Sequence, residues 1–318
     1  METYIFGIDI GGTTIKLGLF YSEGKLLEKW EIPTRTLEKG AYVLPDAADS
    51  IKAAMKRHGI TEKQVEGIGI GVPGPVDENN TVHGCVNLGW GEFNIRERMK
   101  ELLPDISNVE AGNDATIATL GELCFGGGRG NGSAAMFTLG TGVGGGIAIA
   151  GKTFCGFHGG AGEWGHIVLN PHEKDFCNCG KHGCLEQYAS ATGLVRIAKH
   201  MLNKSSQPCG LRKKERITAR DVCDLARNGD PLAEKALEQC CDYLGRAMSY
   251  VACAVDPEIF LTGGGMSRAG AVLLDGIRRS YRRYAFHVLR DTPIMGAELG
   301  NDAGIYGCVK MVHMDGQA

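Results

Sequence analysis

No stretch of the 318-residue chain approaches about 20 uninterrupted apolar residues, so no membrane-spanning helix is expected. The opening METYIFGIDI has no basic region followed by a long apolar run. It therefore does not read as a secretory signal and reads as a strand. An excess of charge of one sign is also missing: the formal net charge is −3, which argues against a nucleic-acid surface. Neither common phosphate fingerprint occurs. There is no GxxxxGK[ST], and no GxGxxG opens a helix within a first βαβ unit. Glycine reaches 48 residues without a three-residue period, which excludes a collagen-like repeat. The cysteine-rich stretch contains no CxxC redox pair.

The length suits one or two domains, and 43% hydrophobic residues is ordinary for a globular protein. Twelve cysteines without a leader suggest a reducing cytoplasm. Cys85, Cys124, Cys223, Cys253 and Cys308 sit among apolar neighbours and read as small buried thiols. Cys177, Cys179 and Cys184 differ, because CNCGKHGCLE packs them with glycines and polar residues into ten positions.

YIFGIDIGGTTIKLGLF reads as two strands around a Gly-Gly-Thr-Thr turn, and LLEKWEI as a third strand. A helix is predicted from about Tyr42 to Arg57, ended by Gly59. VEGIGIGVPGPV and ISNVEAG read as strands, and NDATIATLGELCF as a helix with Ile117, Leu120 and Cys124 on one stripe. SAAMFTLGTGVGGGIAIAG repeats the opening hairpin, a weak internal symmetry. Helices follow at 192–202, 218–227 and about Pro231–Ala254, with an exposed polar loop over 203–216. PEIFLTGGGMSRAG reads as strand, glycine turn and helix, and NDAGIYGCVKMVH as a last helix. Alternating strands and helices with added hairpins predict an α/β protein of two lobes. The expected division is 1–115, completed by a C-terminal helix at 302–318, and 116–301.

Three glycine turns follow apolar strands: DIGGTT, LGTGVGGG and LTGGGMS. Backbone N–H groups in such turns can converge on an anion, and missing Cβ atoms let phosphate oxygens approach. Gly11, Gly12, Gly142, Gly263, Gly264 and Gly265 are the candidates, with Thr13, Thr14 and Thr141 adding hydroxyl donors. Asp9 can hold a magnesium ion, directly or through water, and Lys16 offers a positive charge. Each turn taken alone could simply join two strands; three together favour a phosphate site.

For Cys177-x-Cys179-x4-Cys184, three thiolates can serve one ion, and a structural zinc site wants four N/S ligands in a tetrahedron. His166, His172 and His182 are all available as the fourth. Glu163 and Glu186 stand within a few residues of these groups, so a bound ion would fix the loops that carry both carboxylates. Asp114 falls in the first turn of a helix after a strand, where a carboxylate suits either a helix cap or a reacting group.

DIGGTTIKLG, GVPGPV, VNLGW, NDA, LGTGVGGG, GGAGEWGH, CNCGKHGCLEQYAS and LTGGG follow one another in an order that resembles the ROK family, and within it the ATP-dependent glucokinases. The block CxCGxxGCxE is the most specific of these. The resemblance implies a two-lobed actin-like ATPase (ribonuclease H-like) fold with a cleft between lobes. It implies ATP, Mg2+ and a structural zinc ion, with His166 as the fourth ligand. It implies Asp114 as the catalytic base for a sugar 6-hydroxyl, and Asn113, Glu163, His166 and Glu186 as sugar contacts, with Asn87 and Gly74 as further candidates. It implies a homodimer acting on a hexose, with glucose expected. N-acetylmannosamine, N-acetylglucosamine or another hexose is the alternative acceptor. A sugar-sensing repressor is the third reading, disfavoured because Asp9 follows only eight residues, too few for a DNA-binding domain. Val86 stands where many relatives carry a proline.

Overall fold

A computed structural model describes residues 2–315. Its elements, in chain order, begin with β1 (Tyr4–Ile10), β2 (Thr14–Tyr21), β3 (Leu26–Pro33), α1 (Leu37–Gly40), α2 (Val43–His58) and β4 (Val65–Val72). Next come β5 (Thr81–Cys85), β6 (Trp90–Asn94), α3 (Ile95–Leu102), β7 (Val109–Asn113) and α4 (Asp114–Phe125). The chain continues through β8 (Ala134–Leu139), β9 (Val143–Ile149), β10 (Lys152–Thr153), α5 (Glu186–Ala189), α6 (Ala191–Lys204) and α7 (Ala219–Arg227). It ends with α8 (Pro231–Val255), β11 (Ile259–Gly263), α9 (Ala271–Tyr284), β12 (Ile294–Gly296) and α10 (Ala303–Asp315).

Two five-stranded sheets organise these elements, in the orders β3-β2-β1-β4-β7 and β10-β9-β8-β11-β12. In the first, β1 pairs antiparallel with β2 and parallel with β4, which pairs parallel with β7. In the second, β8 is parallel to β11, and β11 to β12. The two orders repeat one pattern, a hairpin followed by two parallel strands, as the duplicated Gly/Thr hairpins suggest. A small β5–β6 hairpin stands apart from both sheets.

The chain forms two compact units: 1–133 with 146–161 and 298–318, and 134–145 with 162–297. The division expected after residue 115 therefore differs from these units, which keep all of α4 with the first. The cause is close packing. A Cβ on Gly121 would strike the carbonyl of Ala303, and one on Gly307 the carbonyl of Ile117, so only glycine lets α4 and α10 meet at this depth. Gly7 and Gly69 do the same between α10 and the sheet, against the backbones of Ile305 and Cys308. Part of the chain's glycine thus serves helix packing rather than ligand turns.

The apolar core of the first unit includes Phe6, Ile8, Ile10, Ile51, Ile68 and Ile70. That of the second joins Phe137, Phe260 and Tyr281 to the inner faces of α6, α7, α8 and α9. Left-handed Gly59 closes α2 at the predicted place. Three expectations are corrected. Cys253 is exposed on α8 and Cys124 is half-buried, whereas Cys85, Cys223 and Cys308 are buried. Within the loop at 203–216, Cys209 and Leu211 turn into the core around a short 3-10 helix, Gly210–Lys213. The β5–β6 hairpin and α3 are additions to the expected elements. No helix among the described residues is long and apolar enough to cross a membrane.

Candidate active site

In the first unit, Asp9 lies at the end of β1, opposite Lys16 of β2. Their charged atoms are 3.8 Å apart, and Lys16 Nζ also donates to the carbonyl of Asn301 at 3.0 Å. The first residues of α10 close over the carboxylate, for a Cβ on Gly304 would sit 2.7 Å from Asp9 Cγ. Burial pushes the Asp9 carboxyl above its usual range, and Lys16 pulls it partly back. The turn between the strands is held from its rim. Gly11 N–H donates to Thr14 O, Thr34 N–H to Thr13 O and the Thr34 hydroxyl to Gly11 O, while Gly12 and Thr13 stay exposed. Thr34 is a supporting residue that no motif announces.

The junction of β7 and α4 carries Asn113 and Asp114. Asn113, not Asp114, is the N-cap: its Oδ1 accepts from Thr116 N–H at 3.1 Å. Its Nδ2 donates to Gly74 O at 3.2 Å, which ties the cap to the Pro73–Gly74 turn. Gly74 is itself pressed against β5, since a Cβ there would lie 2.9 Å from Gly84 O. Asp114 takes the first helical position, half-buried, its Oδ1 accepting Ala115 N–H at 2.7 Å. A carboxylate there gains from the positive end of α4. Asn87 lies exposed beside Val86 in the 3-10 turn Val86–Leu88 and takes no part in the Asn113–Gly74 bond.

In the second unit, the ligand atoms of His166, Cys177, Cys179 and Cys184 all lie within 4.8 Å of one another. His166 Nδ1 is 3.8 Å from Cys177 Sγ, and Cys179 and Cys184 place their sulfurs 3.6 Å apart. His182 is occupied elsewhere, tilted against the Phe176 ring with Nδ1 near Asp175 O, and His172 is exposed. Four N/S donors converging in this way form a set that a tetrahedral ion satisfies. Both flanking acids reach the same histidine. Glu186 Oε1 is 3.8 Å from Nδ1 and 2.9 Å from Cys177 Sγ, and Glu163 Oε2 is 4.0 Å from Nε2.

Glu186 also meets the second glycine turn. A Cβ on Gly142 would stand 2.7 Å from Glu186 Oε2, so the end of that side chain lies directly against the turn. The start of α6 holds the turn, because Ala191 N–H donates to Gly140 O and the Thr192 hydroxyl to Thr141 O. Gly263 ends β11, and left-handed Gly264 packs directly on the backbone of Leu139 at the end of β8. The second and third glycine turns are thereby neighbours.

Two cavities adjoin them. One of about 350 Å³ is bordered by Thr141, Gly142, Cys177, Glu186, Thr192 and Arg196. The other, about 370 Å³, lies between Gly140, Thr141 and Gly265 on one side and Arg220, Cys223, Asp224 and Arg227 of α7 on the other. The α7 residues were not legible as a site, because 218–227 has an ordinary helical pattern and its contribution comes only from where the helix packs.

Comparison with known proteins agrees over nearly the full length. The family model described as "ROK family" matches residues 5–315. Glucokinase of Halalkalibacterium halodurans is 39% identical over 313 residues, covering 96% of this chain and 94% of that protein. The crystal structure of a ROK family glucokinase from Streptomyces griseus in complex with glucose and AMPPNP aligns at a TM-score of 0.74 and 33% identity, covering 98% and 99% of the two chains. A ROK hexokinase from Thermus thermophilus aligns at 0.79 and 30% identity, covering 99% of each. The architecture is the actin-like ATPase fold of those sugar kinases. With the duplicated sheet, the paired glycine hairpins and the Cys3His cluster already in place, a match of this extent makes the chain a member of the ROK family.

Proposed function

We propose that this protein is an ATP-dependent hexose kinase that phosphorylates glucose at the 6-hydroxyl. The observation that carries the reading is the full-length likeness to ROK glucokinases, joined to a start of α4 where Asn113 caps the helix and leaves Asp114 as the carboxylate of its first turn. Asp114 accepts the 6-hydroxyl proton while that oxygen attacks the γ-phosphorus in line; the bond to the β-phosphate oxygen breaks and ADP leaves. Phosphoryl transfer of this kind depends mainly on positioning and charge neutralisation, and a well-placed base adds roughly 10²–10⁴-fold.

Asn113, Gly74 and Asn87 are assigned to sugar hydroxyls in the first unit, and Glu163, His166 and Glu186 in the second. The backbone N–H groups of Gly12 to Thr14, Thr141 to Gly142 and Gly263 to Gly265, with Lys16, are assigned to the phosphates, while Gly11 shapes the first turn through its N–H to Thr14 O. The cavity beside α7 suits the nucleoside. Asp9 would hold a magnesium ion, directly or through water, which would neutralise phosphate charge. His166, Cys177, Cys179 and Cys184 would hold a structural zinc ion that ties the Glu163 loop to the start of α5. We place the protein in a reducing cytoplasm, which suits a chain of twelve cysteines. We take the working form to be a homodimer, which size-exclusion chromatography with light scattering checks.

An ATP-consumption screen across glucose, mannose, fructose, N-acetylglucosamine and N-acetylmannosamine tests the function, with elemental analysis of the same preparation. Turnover fastest with glucose and about one zinc per chain are expected. No ATP consumption with any hexose would end the kinase reading, and a zinc-free active enzyme would end the metal assignment.

A further inference from the structure

β7, the strand that delivers Asn113 and Asp114, is the outer edge of the first sheet. An edge strand leaves alternate N–H and C=O groups without a strand partner, and buried groups of this kind need one. Two side chains supply what a further strand would. The outward N–H of Ala111 donates to Asn80 Oδ1, and the outward carbonyl of Val109 accepts from Arg96 Nε at 2.8 Å. Asn80 Nδ2 donates to Glu110 Oε2 at 3.3 Å, and Glu110 pairs with Arg96. Asn80 is only 1% exposed and has φ = 65°, a left-handed conformation that asparagine tolerates better than most residues. Its own backbone is fixed at both ends, N–H to Asp77 O and C=O from Ile95 N–H.

We propose that Asn80, supported by Glu110 and Arg96, is a positioning residue for the reaction: it clamps β7 three residues before Asp114 and so sets where that carboxylate stands. No sequence motif marks it. The inference rests on the assignment of Asp114 as the base. Asn80 is suited to the task because it must accept from Ala111, donate to Glu110 and hold a positive φ at once. Glycine keeps only the last of these, and aspartate keeps the first and last while facing Glu110 with a second carboxylate.

The test compares the unmodified enzyme with Asn80→Gly and Asn80→Asp, measuring kcat per folded molecule, KM for ATP, glucose affinity and Tm. Asn80→Gly is expected to lower kcat about tenfold or more, since small misplacements of a reacting group are costly. KM for ATP should stay within about twofold, because the turn at Asp9–Thr14 does not rest on this clamp. Asn80→Asp, which keeps the acceptor for Ala111 but loses the donor to Glu110, should also lower kcat, by less than Asn80→Gly does. A kcat for Asn80→Gly within about twofold of the unmodified value would overturn the proposal. So would a loss that disappears well below the variant's Tm, which would mark a purely structural role. If Asn80→Gly does not fold, Asn80→Asp decides alone: kcat lowered about threefold or more with KM for ATP unchanged is expected, and a kcat within about twofold of the unmodified value overturns the proposal. Failure of the Asp114 assignment shows separately, as near-normal turnover by Asp114→Asn.

Discussion

At the residue scale, one missing side chain governs how Glu186 meets the turn after β8. A Cβ at position 142 would meet Glu186 Oε2 at 2.7 Å, so the carboxylate, whose Oε1 lies 3.8 Å from His166 Nδ1, would have to shift. Gly142→Ala is therefore predicted to raise KM for glucose about tenfold or more, the cost of losing a hydrogen bond to a charged group. The four-ligand cluster does not use the Gly142 position, so metal content should stay unchanged. Steady-state kinetics with metal analysis checks both, and an unaltered KM for glucose would show that Glu186 yields to the methyl without losing its place. The sequence marked Gly142 through its turn and Glu186 through its closeness to the cysteines. It did not show that the glycine meets the carboxylate, because that contact joins residues 44 positions apart. The capping role of Asn113 was likewise hidden, since Asn and Asp are nearly equal as caps and only the bond to Thr116 N–H separates them.

At the scale of elements, the loop before the cysteine cluster is fastened to α5 and α6. Glu173 accepts from the Tyr188 hydroxyl and pairs with Arg196 at 2.7 Å, while the Arg196 guanidinium lies over the Tyr188 ring. Burial works to raise the pKa of Glu173, but the bonds from Tyr188 and Arg196 outweigh it and hold the carboxyl down at about 2. With the unfolded value near 4.5, the stabilisation is present in full above pH 4.5 and is lost as pH falls towards 2. Glu173→Gln should thus lower Tm at neutral pH and flatten its fall between these two values. A Tm–pH curve parallel to that of the unmodified protein would contradict the tie. Strands such as β1, β4 and β8 and helices such as α2 and α8 were legible from runs and periodicity, and Gly59 gave the end of α2. The β5–β6 hairpin was not, because TVHGC and WGEFN alternate poorly and form a two-stranded sheet of their own. Helix α3 buries just Ile95 and Met99 within eight residues, too little for a periodic signal.

At the scale of the whole molecule, two sheets of one topology place a glycine hairpin at the head of each, and the duplicated sequence hairpins foreshadow this. What the sequence conceals is how distant segments complete each unit. Residues 298–318 join the first unit through glycine contacts and through Glu122, which is buried and accepts the N–H groups of Gly127, Glu298 and Leu299. The Glu122 bonds alone span up to 177 positions, and no local pattern encodes such contacts. The account as a whole rests on Asp114 acting as the base for a hexose hydroxyl. Its most direct test is the rate of ADP formation by Asp114→Asn with saturating glucose and ATP, alongside calorimetric glucose binding. The predicted result is a kcat lower by about 10²–10⁴-fold with glucose affinity largely kept. Turnover close to that of the unmodified enzyme would contradict it.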